Sequence, residues 1–373
     1  MTTRILHIIP TLVRGGAEKQ LTLLAAGLPR DQFDVHVAVL SHTGPLEKEL
    51  RQANIPVHLI DKKWKLDPLA WRRLRNLIRE LKPQIVHTWL FAANCYGRTA
   101  AWAERVPIII GGERCVDPWK HWHQLQIDRW LASVSTCLVT NSSGVQEFYA
   151  AKGIPANKFQ IIPNGVALPA ANQRPLTREE LVAELKLPPE AKLIAAVGRL
   201  WPQKRLKDLI WGADLVKCVR DDVHLLIIGD GPQRWRLERF SELCEITDKV
   251  HFLGERADVP RILPACECLW LGSGYEGQSN AILEAMAAGI PVVATDIAGN
   301  RDLVVPNETG LLVAAGDRAD FARQTLRILS EEGLKQQLGT AGRARIAAEF
   351  SIEKMVSRHA ELYQRLVQER QDR

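Results

Sequence analysis

No stretch of this sequence is apolar for the roughly 18–20 consecutive residues that a bilayer span requires, because Arg, Lys, Asp or Glu interrupts every apolar run. Internal repeats and low-complexity tracts are also missing. Composition is that of an ordinary folded chain, with 46% hydrophobic and 25% charged residues, which excludes disordered, collagenous and coiled-coil classes. The 7 cysteines are an odd set without a C-x-x-C pair, so a disulfide framework or zinc ribbon is not expected. Cys266 and Cys268 flank Glu267, but they enter an apolar strand and have no second ligand pair, so reduced core thiols are expected. The first residues, MTTRILHIIPTLVRGG, have no small-residue cleavage site and read as a first strand, so a cytoplasmic location is expected. The turn after the first strand lacks G-x-G-x-x-G, and Gly229-Asp230-Gly231-Pro232 lacks the third glycine, so NAD or FAD binding at these turns is not expected.

What is present is a regular alternation. Short β-branched runs at 3–9, 33–39, 56–59, 84–88, 107–111 and 136–140 are separated by helical patterns, and the scheme repeats at 191–197, 223–228, 249–253, 268–272, 291–295 and 310–313. Strands alternating with helices imply βαβ units and parallel sheets. The 373 residues therefore divide into two doubly wound α/β domains, an N-terminal one over 1–168 and a C-terminal one over 169–350. They are joined within 164–180, where NGVALPAANQRPL has neither periodicity. An amphipathic helix over 351–373, with Met355, Leu362, Leu366 and Val367 near one face, is expected to pack back towards the N-terminal domain. Ligands of open α/β sheets bind outside the carboxyl ends of strands, so a cleft between the domains is the expected site.

Several segments carry candidate chemistry. Gly15 and Gly16 follow the first strand and open a helix, where backbone N–H groups can approach a phosphate; an ordinary tight turn has the same signature. Gly198-Arg199 ends a later strand, and Gln203-Lys204-Arg205 opens the next helix, so Arg199 and Lys204 could clamp a diphosphate or be a solvated pair. Leu253 and Arg256 lie where a strand edge could read a nucleobase. Glu276 precedes a helix start, Gly277-Gln278-Ser279-Asn280-Ala281 offers N–H groups, and Glu284 follows about two turns on; a capping plus a surface glutamate is the plain alternative.

These residues together resemble the retaining glycosyltransferases of family 4, which have the GT-B fold. The resemblance runs from Gly15-Gly16-Ala17-Glu18 through Ile162-Pro163-Asn164-Gly165-Val166 and Val197-Gly198-Arg199 to Glu276 and Glu284 in the context EAMAAGIPVVAT. It implies transfer of a sugar from a UDP- or GDP-sugar to an acceptor hydroxyl with retained configuration, in polysaccharide, glycolipid or envelope glycan synthesis. Glu276 would then contact the donor sugar, Glu284 the ribose, Arg199 and Lys204 the diphosphate, and Gly16 would approach that diphosphate from the other domain. Cations and helix N–H groups can stabilise the departing diphosphate, and no D-x-D exists to chelate a metal, so neither metal nor cofactor is expected. Two departures stand out. Trp89 and Ala92 occupy positions where many relatives carry a further histidine, leaving His87 as the catalytic candidate there, and Ser279 stands where proline is common. The alternatives are a nucleotide-sugar binding protein without transfer activity and a nucleotide-sugar epimerase of the same fold.

Charge is unevenly spread. Residues 1–170 hold 21 Lys and Arg against 13 Asp and Glu, whereas 171–373 hold 28 against 30. Segment 62–82 is crowded with cations against only Asp67 and Glu80; Arg72, Arg75, Arg79 and Lys82 make a stripe, and Leu74, Leu77, Ile78 and Leu81 an apolar face. Trp64, Trp71, Trp119, Trp122 and Trp130 also lie in this half. Rings beside cations suit an anionic membrane surface near a glycan or lipid-linked acceptor, although a solvated helix would look similar. Nucleic acid is not an expected partner, since no helix-turn-helix, zinc finger or RNA-binding aromatic signature occurs.

Overall fold

The computed structural model describes residues 2–169 and 174–372; positions 170–173 of the expected linker lie outside the described residues. Thirteen strands are present among the described residues: β1 (Thr3–Thr11), β2 (Phe33–His42), β3 (Val57–Leu59), β4 (Ile85–Trp89), β5 (Ile108–Glu113), β6 (Cys137–Thr140), β7 (Phe159–Ile161), β8 (Lys192–Val197), β9 (Val223–Ile228), β10 (Val250–Gly254), β11 (Cys268–Leu271), β12 (Val292–Thr295) and β13 (Leu311–Val313). Each expected strand is there, within a few residues at its ends. β7 is additional: it is only three residues long and pairs with β6 at the edge of its sheet.

The chain divides into two compact units, one running up to Gly165 and resuming at Ile352, the other Val166–Ser351. In the first unit the sheet order is β3-β2-β1-β4-β5-β6-β7, and in the second β10-β9-β8-β11-β12-β13. Both are parallel throughout the named strands. Helices cover both faces of such a sheet, which is why β4, β9, β11 and β12 are buried at every residue and read as mainly apolar runs, interrupted by His87 and Thr88 in β4, His224 in β9 and Thr295 in β12. Strand order reverses beside β1 in one unit and beside β8 in the other. The crevices at the carboxyl ends of β1 and β4, and of β8 and β11, are therefore the natural ligand positions.

Helix Ile352–Gln371 belongs to the first unit. Met355, Leu362 and Leu366 are buried in one cluster with residues of β1, β2 and helix Gly16–Gly27, and Val367 packs on it partly buried. A methyl group on Gly27 would come within 2.7 Å of Val356, so that small residue lets the two helices meet closely. All seven cysteines are free; Cys137, Cys266 and Cys268 are core thiols as expected, but Cys218 is exposed. Burial pushes the Cys266 thiol up to about 12, which makes it an inert apolar group.

Candidate active site

In the second unit the chain folds so that two expected groups meet. β8 ends at Val197, and Gly198 follows with φ 151°, a conformation in which a side chain would be strained. The Lys204 stem crosses there: a methyl group on Gly198 would lie 3.2 Å from Lys204 Cε. Lys204 closes a 3-10 turn, Pro202–Lys204, and Arg205 is left-handed with φ 50°, so the helix begins at Leu206 rather than at Gln203. The turn aims Lys204 Nζ at Glu276 Oε1, 2.5 Å away, and Ser273 Oγ donates to the same oxygen at 2.7 Å. Both charged side chains are largely enclosed, which strengthens a charge-assisted bond relative to one in water.

Glu276 is held from two sides. Gln203 donates from Nε2 to the Tyr275 carbonyl at 2.7 Å, and the Gly274 N–H donates to the Gln203 carbonyl at 2.9 Å, which straps segment 274–276 to the turn carrying Lys204. Behind the segment, Thr295 Oγ1 at the end of β12 donates to the Ser273 carbonyl at 2.6 Å, and Asn300 Nδ2 donates to the Thr295 carbonyl at 2.8 Å. A methyl group on Gly299 would stand 1.9 Å from the Gly277 carbonyl oxygen, so only glycine permits that packing. Helix Asn280–Ala287 then starts with Ser279 as its N-cap residue, in extended conformation; Gln278, Ser279 and Ala281 are buried, while Asn280 and Glu284 are partly exposed. Ser273, Gln203, Thr295, Asn300 and Gly299 were not among the expected site residues. Gln203 and Thr295 lie inside segments the sequence singles out, but their side chains support the site from behind rather than carrying a motif's chemistry.

Arg199 is exposed, with its guanidinium over the Trp201 ring at 5.7 Å. Leu253 is partly buried against the core and is followed by Gly254, whose carbonyl accepts from the Gly229 N–H at 2.8 Å. Arg256 does not turn to that edge. It donates to Asp258 at 2.8 Å and to Glu184 at 2.7 Å, and these carboxylates raise its pKa further.

The first unit places Gly15 as N-cap of helix Gly16–Gly27, with Gly16 exposed. The Glu18 carboxylate folds back over this start, where a methyl group on Gly15 would be 2.1 Å from Glu18 Oε2; Thr11 Oγ1 donates to Oε1 at 3.2 Å. An acid in the first turn is the side chain that a helix N-terminus favours. His87 is not where a substrate could touch it. It is wholly buried, Nδ1 lies 2.8 Å from Tyr363 Oη, and its ring stacks on Trp89 at 5.0 Å with His7 at 5.3 Å. Burial first, then the charges of His7, His359 and Arg114, hold its pKa well below the usual imidazole range. The expectation of a catalytic His87 is accordingly corrected: a mid-strand residue under a packed helix is a core histidine.

Two family models match the chain, Glycosyltransferase Family 4 over residues 14–168 and Glycosyl transferases group 1 over residues 177–345. The chain is 28% identical over 361 residues to the UDP-Gal:alpha-D-GlcNAc-diphosphoundecaprenol alpha-1,3-galactosyltransferase of Escherichia coli, covering 90% of each protein. It is 31% identical to the GDP-mannose-dependent monoacylated alpha-(1-6)-phosphatidylinositol monomannoside mannosyltransferase of Corynebacterium glutamicum, over 55% of this chain and 56% of that one. Among solved structures, Anabaena Alr3699/HepE in complex with UDP-glucose superposes with a TM-score of 0.85 at 23% identity, covering 97% of this chain and 99% of that one. The chain is a glycosyltransferase of the family 4 type.

Its fold is that of GT-B glycosyltransferases. The basic segment of this glycosyltransferase forms helix Pro68–Leu81, capped by Asp67, which accepts from the Ala70 N–H at 2.9 Å. Leu74 and Ile78 are buried, and Leu77 and Leu81 pack partly buried, as the apolar pattern implied. The cationic stripe is only half available, since Arg75 and Arg79 both bond to Glu104, at 2.6 and 2.8 Å. Arg72 and Lys82 are exposed, and just before the helix Trp64 and Leu66 are 65% and 84% exposed among Lys62, Lys63 and Lys65. No helix of the described residues is long and apolar enough to cross a membrane.

Proposed function

We propose that this glycosyltransferase moves a sugar from a UDP- or GDP-sugar to an acceptor hydroxyl, with retention of configuration and without a metal ion, in the synthesis of a cell-envelope glycan or glycolipid. The observation that carries the reading is the Lys204–Glu276 pair at the carboxyl ends of β8 and β11. When the glycosidic bond to the leaving diphosphate breaks, negative charge grows on the phosphate oxygens. Lys204 and the free-standing Arg199 guanidinium would take up that charge, and the N–H groups at the start of helix Asn280–Ala287 would add to it. A donor entering would replace the Glu276 carboxylate as partner of Lys204 and leave Glu276 to accept from sugar hydroxyls. Gly15 and Gly16, at the start of helix Gly16–Gly27, would let backbone N–H groups approach a phosphate.

The relatives named for UDP-galactose and GDP-mannose donors support both nucleotides as candidates, and their diphosphoundecaprenol and phosphatidylinositol substrates support a lipid-borne acceptor. Attachment to an anionic bilayer would go through Trp64, Leu66 and their neighbouring lysines. The test is a thermal-shift panel of UDP, GDP, ADP and their sugars, with and without EDTA. A selective shift that EDTA leaves unchanged supports the donor site and its metal independence; no shift with any nucleotide defeats the reading.

A further inference from the structure

At the carboxyl edge of the first sheet, one exposed indole is held far more firmly than its exposure requires. Trp119 lies in the connection between β5 and helix Trp122–Val134 and is 51% exposed. Its Nε1–H donates to Asp117 Oδ1 at 3.1 Å, and its edge meets the Phe91 ring at 6.3 Å and 88°. Phe91 is the second residue of helix Leu90–Ala103, which leaves β4 through Leu90 at φ 70°, a strained conformation for leucine. Both rings therefore stand at strand ends where α/β sheets receive ligands.

Beneath them lies a buried ionic cluster. Lys120 Nζ is fully enclosed, 2.9 Å from Asp128, 3.2 Å from Asp117 and 3.7 Å from Glu113, with the Tyr149 hydroxyl at 2.6 Å. It also sits 4.8 Å over the Phe91 ring, and Tyr149 donates to the other oxygen of Asp117 at 2.8 Å. Glu113 is tied in turn to Arg98 and Asn94. Burying this many charges is costly unless each is paired and bonded. Asp117 and Phe91, which Trp119 contacts, are thereby both tied to the same buried cluster.

We infer that Trp119 is a platform on which a sugar ring of the acceptor stacks, in addition to the donor site of the second unit; this rests on the transferase reading above. A rigid indole offers a flat apolar surface at little conformational cost, suited to the C–H face of a pyranose. The surrounding charge favours a hydroxylated ligand over a phospholipid surface. Glu113, Asp117 and Asp128 balance Arg98, Arg114 and Lys120, so the edge has no excess of cations to draw anionic headgroups.

The experiment uses the full chain with 15N-labelled tryptophan, the Trp119 indole resonance being assigned from Trp119→Phe. Methyl α- and β-glycosides of glucose, galactose, mannose and N-acetylglucosamine are titrated. At least one should move that resonance, and Trp119→Ala should bind it at least about tenfold more weakly, with the nucleotide thermal shift unchanged. An immobile Trp119 resonance with every glycoside overturns the proposal, and so does movement with phosphatidylglycerol vesicles alone. Nucleotide binding is measured on the same samples. Glycoside binding at Trp119 without any nucleotide shift would keep the platform and reject the transferase reading.

Discussion

At the scale of single residues, the donor site turns on one oxygen atom. Glu276 Oε1 receives both Lys204 Nζ and Ser273 Oγ, so the carboxylate is aimed before any donor arrives. Preorganised charge of this kind is worth about 2.7–4 kcal/mol per group in a transition state. Lys204→Ala and Glu276→Ala should each lower kcat by about 100-fold or more, with the fold intact by circular dichroism; near-normal turnover in either refutes the assigned role. Ser273→Ala removes one bond to a charged acceptor, worth about 1.5–3 kcal/mol, and should produce a smaller fall than either. Glu276 and Lys204 were legible because they sit in dense local motifs. Ser273 and Gln203 were not: Ser273 lies three residues from Glu276 but is an ordinary loop serine until the turn aims its hydroxyl, and Gln203 acts across 72 residues of chain through its bond to Tyr275. His87 misled for the matching reason: its partners Tyr363 and His359 come from a helix whose register against β4 no local pattern records.

At the scale of elements, the loop after β11 takes its position from the short helix Ala298–Arg301 behind it. Gly299→Ala puts a carbon 1.9 Å from the Gly277 carbonyl oxygen, so loop or helix must move. Overpacking of this kind costs about 1–3 kcal/mol, and the displaced segment is the one carrying Glu276. Both Tm and kcat/KM should drop. Gly274→Ala is the control in the same loop, since its nearest neighbour, Arg205 Cδ, is at an ordinary 3.4 Å. If the two variants behave alike, the positioning argument fails. The elements themselves were largely readable, because strands buried on both faces are nearly continuous apolar runs. β7 was not: of its three residues only Phe159 is buried, and FQI is too short for its alternation to stand out. The turn Pro202–Lys204 read as a helix start because the left-handed Arg205 that interrupts it is not glycine.

At the scale of the whole molecule, exposed Trp64 and Leu66 among Lys62, Lys63 and Lys65 should carry the chain to anionic vesicles, each cation contributing about 1 kcal/mol near the surface. Trp64→Ala should leave more protein in the supernatant after sedimentation, and equal binding to neutral vesicles would count against the charge argument. Acid stability follows from the buried histidines. Burial holds His7 and His359 at about 3, and His87 is also held low, by burial first and then by His7, His359 and Arg114. In the unfolded chain these rings protonate near their ordinary value of about 6.5, so below that pH the unfolded state binds more protons than the native one. Stability is therefore full above about pH 6.5 and falls as pH drops, by about 1.4 kcal/mol per pH unit for each ring, until the native rings themselves protonate near pH 3. Asp117 and Asp128 act the other way, since burial raises both carboxyls and makes the native state the better proton binder in mild acid, but His58, His224 and His251 are also held low by burial and add to the three rings. Urea midpoints should fall markedly between about pH 7 and pH 5, and the double variant His7→Gln with His359→Gln should flatten the dependence. A midpoint that is level across this range in the unaltered protein would mean the three rings are not held neutral by the core.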